Sequence, residues 1–117
     1  DEYFDGMTVR YNSGGNITPQ TTQAQLANIR WYANVADTIG NCRSGIDYQY
    51  NVVASGGCGS TDLRAATGFV NYSAGDMHLS SGAAAIGRGK PGDYPSTDYD
   101  KQSRPAGGAP DAGADER

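Results

Sequence analysis

The chain has 117 residues, of which 17 are glycine and 19% are charged, and its formal net charge is -4. Its nine basic residues are spread singly, so the sequence lacks the basic cluster that nucleic-acid binding requires. No apolar run approaches the roughly 18 residues of a membrane-spanning helix. This length allows one domain at most, and the start carries no signal-peptide pattern, which indicates a processed chain or a piece of a longer protein.

Short segments of alternating apolar and polar residues recur along the first half of the chain. They are residues 7–12, 27–32 and 45–51. Val9 aligns with Ile29 at an offset of 20 residues, and the third segment follows after roughly another 17 to 19. Such alternation is typical of a strand with one buried face. One strand about every 20 residues predicts a solenoid.

Two other folds remain open for this region. Its glycine-rich turns would also suit an antiparallel meander, although hairpin strands need only about two to five linking residues. Residues 21–37 would suit a helix, although Asn28 and Asn34 weaken it and residues 29–32 have the composition of a strand.

The two cysteines, Cys42 and Cys58, are expected to form a disulfide. The rest of the composition is typical of a secreted protein, and closing a loop of this size would stabilise the fold by ~3 kcal/mol. A metal site would need more ligands, for which His78 is the single other soft candidate. Two free thiols in a cytosolic protein are the alternative.

Two sequons for N-glycosylation begin at Asn16 and Asn71. They agree with a secreted protein. Such triplets are common by chance in sequence rich in asparagine and serine, so each one alone indicates little.

The C-terminal half carries the most specific pattern. Residues 75–89, GDMHLSSGAAAIGRG, resemble the GDFHL..GSPAIDAG segment of secreted β-helix proteins, and residues 97–116 resemble their TDIDG..RP.GG.PDIGAYE ending. Over roughly residues 58–117 the chain is similar to right-handed parallel β-helix proteins of the pectate-lyase-like superfamily, which include surface proteins with a variable C-terminal anchor. Ala83, Ala84 and Gly87 stand where Ser, Pro and Asp are usual, and Lys101 replaces a turn glycine.

The resemblance implies an all-β fold, a right-handed parallel β-helix of about three coils with an irregular C-terminal cap. We expect coils in residues 1–60 and the last coil with the cap in residues 61–117, as one domain that is a fragment or subunit of a larger β-helix. Residues 83–86 are expected to cover the end of the core. Five side chains would tie the cap down by charge-assisted hydrogen bonds: Asp98, Asp100, Arg104, Asp111 and Glu116.

Carboxylates supply the main candidates for chemistry. Pectate-lyase-like enzymes use acidic residues for Ca²⁺ and a basic residue for proton abstraction. Asp98 and Asp100 would suit a Ca²⁺ pair, but their place in the terminal block favours a structural role. His78 would suit a general base, and its place beside a strand also favours structure. No catalytic residue, metal site or cofactor is therefore predicted, with Ca²⁺ as the alternative.

Exposed aromatic rings would stack on sugars. Alternation places Trp31, Tyr48 and Tyr50 on the inner face of their strands. Tyr32 is then the better surface candidate for carbohydrate contact, with Tyr3 as another exposed ring.

These observations predict an extracellular or cell-surface structural module rather than a self-sufficient enzyme. The first coil, around residues 3–12, has an unpaired edge that upstream coils or a neighbouring copy would cover, and end-to-end stacking of copies would propagate into a filament. One alternative is the non-catalytic end of a polysaccharide lyase or glycoside hydrolase. Another is a carbohydrate-binding module, whose partners would be glycans.

Overall fold

The computed structural model of the protein describes residues 3–5, 8–16, 25–27, 29–39, 42, 45–104 and 109–117. Met7, the start of the possible helix at residues 21–24 and the side chain of Tyr3 lie outside this description. No helix in the described residues is long and apolar enough to cross a membrane.

The described residues form eleven short strands and one 3-10 helix. In chain order these are β1 (Tyr3–Asp5), β2 (Thr8–Arg10), β3 (Ser13–Asn16), β4 (Gln25–Ala27), β5 (Ile29–Tyr32), β6 (Val35–Ile39), β7 (Ile46–Gln49), β8 (Val52–Gly56), β9 (Leu63–Arg64), β10 (Phe69–Asn71), the 3-10 helix (Tyr72–Ala74) and β11 (Asp76–Leu79). The strands β5 to β8 are rich in β-branched and aromatic residues, which fit a pleated, half-buried surface.

Most of these strands pair in parallel. β1 pairs with β4, β2–β5–β7 form a three-stranded sheet, and β3–β6–β8–β9 form a four-stranded sheet. The chain therefore makes successive passages, β1–β3, then β4–β6, then β7–β8. The first two passages add one strand to each of the three sheets in the same order, and the third adds β7 and β8 to the two larger sheets in that order. This confirms the all-β fold with parallel sheets. Among the described strands only β10 and β11 pair antiparallel, so the meander is wrong for the strands β2, β3 and β5 to β8.

The first two passages are 22 residues apart rather than 20. Val9 pairs with Trp31, and the same spacing of 22 separates Asn12 from Asn34. Trp31 pairs with Tyr48, 17 residues later. The offset of 20 was wrong because apolar alternation repeats every two residues and therefore fits several even shifts equally well.

The helix considered for residues 21–37 is also wrong in its described part. β4, β5 and the start of β6 occupy this region, and each has a parallel partner in the first passage. Ala33 has a left-handed backbone with φ of 57°, which a helix does not tolerate.

The four-stranded sheet is covered on both faces. Ala36 and Val53 pack in one buried cluster with Trp31 of the three-stranded sheet. Their chain neighbours Val35 and Val52 belong to a second cluster, which includes residues from the C-terminal segment, residues 80–117. Because neighbours along a strand point to opposite faces, this sheet lies between the three-stranded sheet and the C-terminal segment.

Residues 83–86 therefore lie along a sheet face and not across an end of the inner core. Ala83 and Ala85 are buried against Val35, Val52 and the partly buried Leu63. The outer face of the four-stranded sheet is apolar at these positions, and covering it stabilises the fold by roughly 25 cal/mol per Å² buried.

Candidate functional site

The chain turns between its two larger sheets through corners of left-handed backbone. The corner residues are Tyr11, Ala33 and Tyr50, with φ of 56°, 57° and 59°. This conformation costs a residue with a Cβ about 1 to 2 kcal/mol, so its repetition at three corners requires a compensating interaction.

An asparagine follows each corner, and these asparagines bond to one another. Asn12 donates to the Oδ1 of Asn34 through its backbone N, at 3.1 Å, and through its Nδ2, at 3.0 Å. Asn34 donates to the Oδ1 of Asn51 through the same two atoms, both at 2.9 Å. Asn34 and Asn51 are fully buried. The Oδ1 of Asn34 and that of Asn51 therefore each join their passage to the preceding one by a pair of hydrogen bonds.

The second amide hydrogen of each buried asparagine binds a main-chain carbonyl of the preceding passage. Asn34 Nδ2 donates to the Val9 carbonyl at 3.1 Å, and Asn51 Nδ2 donates to the Trp31 carbonyl at 3.0 Å. Buried amides of this kind are stabilising only when their hydrogen bonds are made, as they are here.

Asp62 occupies the fourth position and ends the series. Its Oδ1 accepts from the backbone N and Nδ2 of Asn51, both at 3.0 Å. Its Oδ2 accepts from the backbone N of Cys58 at 3.3 Å and of Gly59 at 3.0 Å. We name Asn12, Asn34, Asn51 and Asp62 the corner ladder. An ionised carboxylate only accepts hydrogen bonds, so Asp62 offers no side-chain donor for a further step.

The other end of the corner ladder is open. Asn12 is exposed, and its Nδ2 donates to Asn34 and to the Arg10 carbonyl. Its Oδ1 has no donor among the residues that the structure describes. The ladder is therefore directional, with an acceptor that no described residue fills at one end and a carboxylate at the other.

Arg104 and Glu116 form a buried ion pair within the C-terminal segment. Their side chains are 1% exposed, and Arg104 Nη1 lies 3.2 Å from Glu116 Oε1. The guanidinium also donates to the carbonyls of Asp111, at 2.9 Å, and Gly113, at 2.8 Å. Its centre lies 4.9 Å from the ring of the corner residue Tyr11. Buried charges persist when they are paired and hydrogen-bonded, as both charges are in this group.

Asp98 joins this group by binding backbone amides. Its Oδ1 accepts from Asp100 N and Gln102 N, and its Oδ2 accepts from Glu116 N at 2.9 Å. Burial alone would raise the pKa of Asp98, but these backbone donors hold it below its usual range. Because both oxygens already bind N–H groups, the arrangement favours the structural role of Asp98 over the Ca²⁺ role.

Asp111 contributes from its own side chain as well. Its Oδ1 accepts from Gly87 N at 2.7 Å and its Oδ2 from Arg117 N at 2.8 Å. Four of the five side chains expected in one network, Asp98, Arg104, Asp111 and Glu116, are thus brought together. We name these four the Arg104 network.

The C-terminal segment is also bonded directly to the first two passages. Gly113 N donates to the Ala33 carbonyl at 2.7 Å, and Ala114 N donates to Ser13 Oγ at 2.8 Å. Gly113 has φ of +88°, and a Cβ there would lie 2.9 Å from Val35 Cγ2. Only glycine fits this close, left-handed approach. The segment therefore runs along the sheet back to the first passage.

Asp100, the fifth of these side chains, also makes a charge-assisted bond, but its partner is His78 of β11 and not a member of the Arg104 network. His78 Nε2 lies 2.6 Å from Asp100 Oδ2, and His78 Nδ1 lies 2.6 Å from Asp76 Oδ1. These two bonds, first that of Asp76, raise the pKa of His78 to about 9. A general base must be neutral to accept a proton, so this doubly bonded imidazolium favours a structural role for His78.

A third carboxylate lies close to this pair. Ligand atoms of His78, Asp100 and Asp115 all lie within 4.8 Å of one another. Asp115 is buried, and its Oδ2 accepts from Leu79 N at 2.8 Å. Hydrogen bonds account for the position of each of these side chains, and we assign no cation to the group.

We expect the stability provided by His78 to depend on pH. Its pKa is higher in the folded protein than the ordinary 6.5, so the contribution is complete below pH 6.5 and is lost as the pH rises through about 9. In an NMR titration the imidazole signals of His78 should change with a midpoint near 9. The variant His78→Gln should lose this alkaline dependence of melting temperature. A midpoint at or below 6.5 would contradict the bridged geometry.

Cys42 and Cys58 form a disulfide, as expected. Their Cα atoms lie 5.6 Å apart, and 16 positions separate the two residues in the sequence. Cys42 is exposed, whereas Cys58 packs against the inner cluster. The bridge therefore connects the loop before β7 to the loop after β8.

Removing this disulfide by Cys42→Ser with Cys58→Ser should lower the free energy of unfolding by ~3 kcal/mol. Urea denaturation with and without a reductant measures the effect. The reductant should destabilise the native protein by a similar amount and leave the double variant unchanged. A native protein that is indifferent to reduction would refute the expected contribution.

The aromatic residues divide differently from the sequence expectation. Trp31 and Tyr48 are buried in the inner cluster as expected, and Tyr50 is partly buried against the second cluster. Tyr32 was expected at the surface, and this is wrong, because it is 5% exposed. Its hydroxyl donates to Asp47 at 2.9 Å, and Lys90 Nζ lies 4.9 Å from its ring centre. The ring has little free face for a sugar.

Both sequon asparagines are exposed. Asn16 ends β3, and Asn71 precedes the 3-10 helix and accepts from Ala74 N at 3.3 Å. Their glycosylation stays a prediction.

Comparisons with protein-family models, with curated proteins and with solved structures find no match for this chain. The site is therefore interpreted from its own geometry.

Proposed function

We propose that the protein is an extracellular structural module that forms the closed end of a right-handed parallel β-helix. In this proposal each chain passage is one coil of the helix. The observation that carries it is the corner ladder, which is open at Asn12 and ends at Asp62. A ladder with one finished end suits a terminal module better than a central one.

Strand order supports the coil assignment. The two larger parallel sheets receive their strands in the same order from three successive passages, and the corners between these sheets share one left-handed conformation. A solenoid requires this repetition, because each coil buries its apolar face only against its neighbours.

The C-terminal segment supports the terminal role by acting as a strap. It covers the apolar outer face of the four-stranded sheet and bonds to Ser13 and Ala33 of the first two passages. The Arg104 network fixes its fold with buried charge-assisted bonds. A stack of few coils has few contacts between coils and gains little stability from them. A strap that crosses the coils supplies additional stabilising contacts.

An extracellular location agrees with the disulfide and with the exposed sequon asparagines. Disulfides persist in oxidising compartments, which include the cell exterior. Few charges and many small polar residues fit a surface protein of this kind.

Closure at one end also limits assembly. End-to-end growth into a filament needs two complementary ends on each copy. In this proposal Asp62 and the loop before it close one end of each copy. Two copies can then associate only through the ends that carry Asn12. The proposal therefore favours a terminal role over the filament.

Sedimentation velocity over a wide range of protein concentrations tests this proposal. We expect no species larger than a dimer, and the variant Asn12→Lys, which places a charge at the open end, should be monomeric. Fibres, or particles that grow steadily with concentration, would overturn the closed end. Ca²⁺-dependent ultraviolet absorbance gained on a uronate polymer would overturn the structural role in favour of a lyase, and retention on polysaccharide gels without turnover would favour a binding module.

A further inference from the structure

We infer that the open end of the module accepts a further coil in which an asparagine follows the corner and donates to the Oδ1 of Asn12. This inference rests on the proposed function and adds the chemical identity and the register of the partner. It follows from the repeated geometry of the corner ladder.

Each step of the ladder uses one acceptor and two donors. In Asn34, Asn51 and Asp62 a single Oδ1 accepts two hydrogen bonds from the preceding member of the ladder, one from its backbone N–H and one from its side-chain amide. These bonds are 2.9 to 3.1 Å long. Asn12 has the same acceptor, and no described residue donates to it. The next member of the series would therefore supply two N–H groups to Asn12 Oδ1.

Asparagine is the side chain that meets this requirement. Its amide carries two donors and one acceptor, so it binds the next residue and also a strand carbonyl, as Asn34 does with Val9. Aspartate would keep its backbone N–H as a donor, but its side chain would face Asn12 Oδ1 with a second acceptor and no donor. An apolar residue would donate to Asn12 Oδ1 through its backbone N–H alone, so the side-chain hydrogen bond, an ordinary bond worth about 1 kcal/mol, would be missing.

The closed end of a second copy does not fit this position. It presents Asp62, whose carboxylate already accepts four N–H groups, from Asn51, Cys58 and Gly59. Head-to-tail docking would bring this acceptor to the Asn12 acceptor. The partner is therefore a coil with an asparagine corner rather than another closed end.

Register follows from the corners. A new coil in line with the first would place a left-handed residue over Tyr11 and its asparagine over Asn12. The spacing to Asn12 would resemble the 22 and 17 residues of the existing steps.

A tandem duplication of residues 8–29 tests the inference in the full chain. It adds 22 residues, the spacing of the first two passages, and so places a copied corner one coil before the original Tyr11. The matched control carries alanine in place of the copied Asn12. Melting temperatures of the native chain and of both extended chains are compared, with proteolysis of the added residues.

We expect the extended chain with asparagine to melt at least ~4 °C above its alanine control, and above the native chain. Equal melting of both extended chains, above the native value, would overturn the asparagine requirement. Extended chains that melt like the native one, with the added residues cleaved, would overturn docking itself. Neither result would contradict the proposal that the Asp62 end is closed, because sedimentation velocity tests that proposal separately.

Discussion

Replacing Arg104 with alanine is expected to destabilise the protein by ~3 to 5 kcal/mol, because the change leaves the buried Glu116 carboxylate without its partner. The carbonyls of Asp111 and Gly113 lose their donors in the same step. The C-terminal segment should loosen, and residues 95–117 should become sensitive to protease. Thermal or urea unfolding measures the first effect, and limited proteolysis with mass spectrometry measures the second.

Two comparisons make this prediction specific. Arg88→Ala removes the same charge from an exposed position and should change stability by no more than about 0.5 kcal/mol. Arg104→Met combined with Glu116→Gln removes both charges and should recover part of the loss. If the tail of the Arg104→Ala protein resists protease as well as the native tail does, the strap role is refuted.

Replacing Asn34 with alanine should destabilise the protein by ~3 kcal/mol, since it removes the central member of the corner ladder and leaves buried polar groups unpaired. The Val9 carbonyl and the Asn12 backbone N–H lose their side-chain partners. The left-handed Ala33 corner loses the interaction that offsets its strain. Denaturant unfolding at equilibrium measures the change.

Asn12→Ala is the matched control for Asn34→Ala. Asn12 sits at the exposed end of the same ladder, so its loss should cost about 1 kcal/mol, the value of an ordinary hydrogen bond. Equal effects of the two substitutions would show that burial and ladder position do not matter, contrary to this account.

The sequence was enough to predict parallel strands but not their register. Alternation identified the strands around Val9, Ile29 and Tyr48, since a half-buried strand has a period of two. Register depends on which partners meet in space, and alternation leaves even shifts open. The asparagines held the missing information. They recur after the same 22 and 17 residues that separate the paired strands.

The corner ladder was missed because asparagine has several local meanings. From local sequence alone, Asn34 indicates only a weaker helix, because its short amide side chain competes for backbone hydrogen bonds. Its role here depends on Asn12 and Asn51, which approach it only through strand pairing. Aligning the chain on Tyr11-Asn12 and Tyr50-Asn51 would have been the signal.

The burial of Tyr32 and the partner of Asp100 could not be predicted from the sequence for a common reason. Each residue is contacted by a part of the chain far away in sequence, which local pattern does not reveal. Lys90 lies over the Tyr32 ring, and His78 binds Asp100. By contrast, the resemblance in the C-terminal block located most of the Arg104 network, because those residues lie close together in sequence.

Native-state amide hydrogen exchange tests the central claim most directly. The amides of Val35, Val52 and Leu63 donate to the carbonyls of Asn12, Asn34 and Asn51 in the preceding passage, and the amide of Gly113 donates to Ala33. We expect all four amides to exchange slowly, with an opening free energy equal to that of global unfolding. If the amide of Val35, Val52 or Leu63 exchanged at the rate of an unstructured peptide, the passages would not be stacked, contrary to the claim. If the amide of Gly113 did so, the C-terminal segment would not hold the passages together.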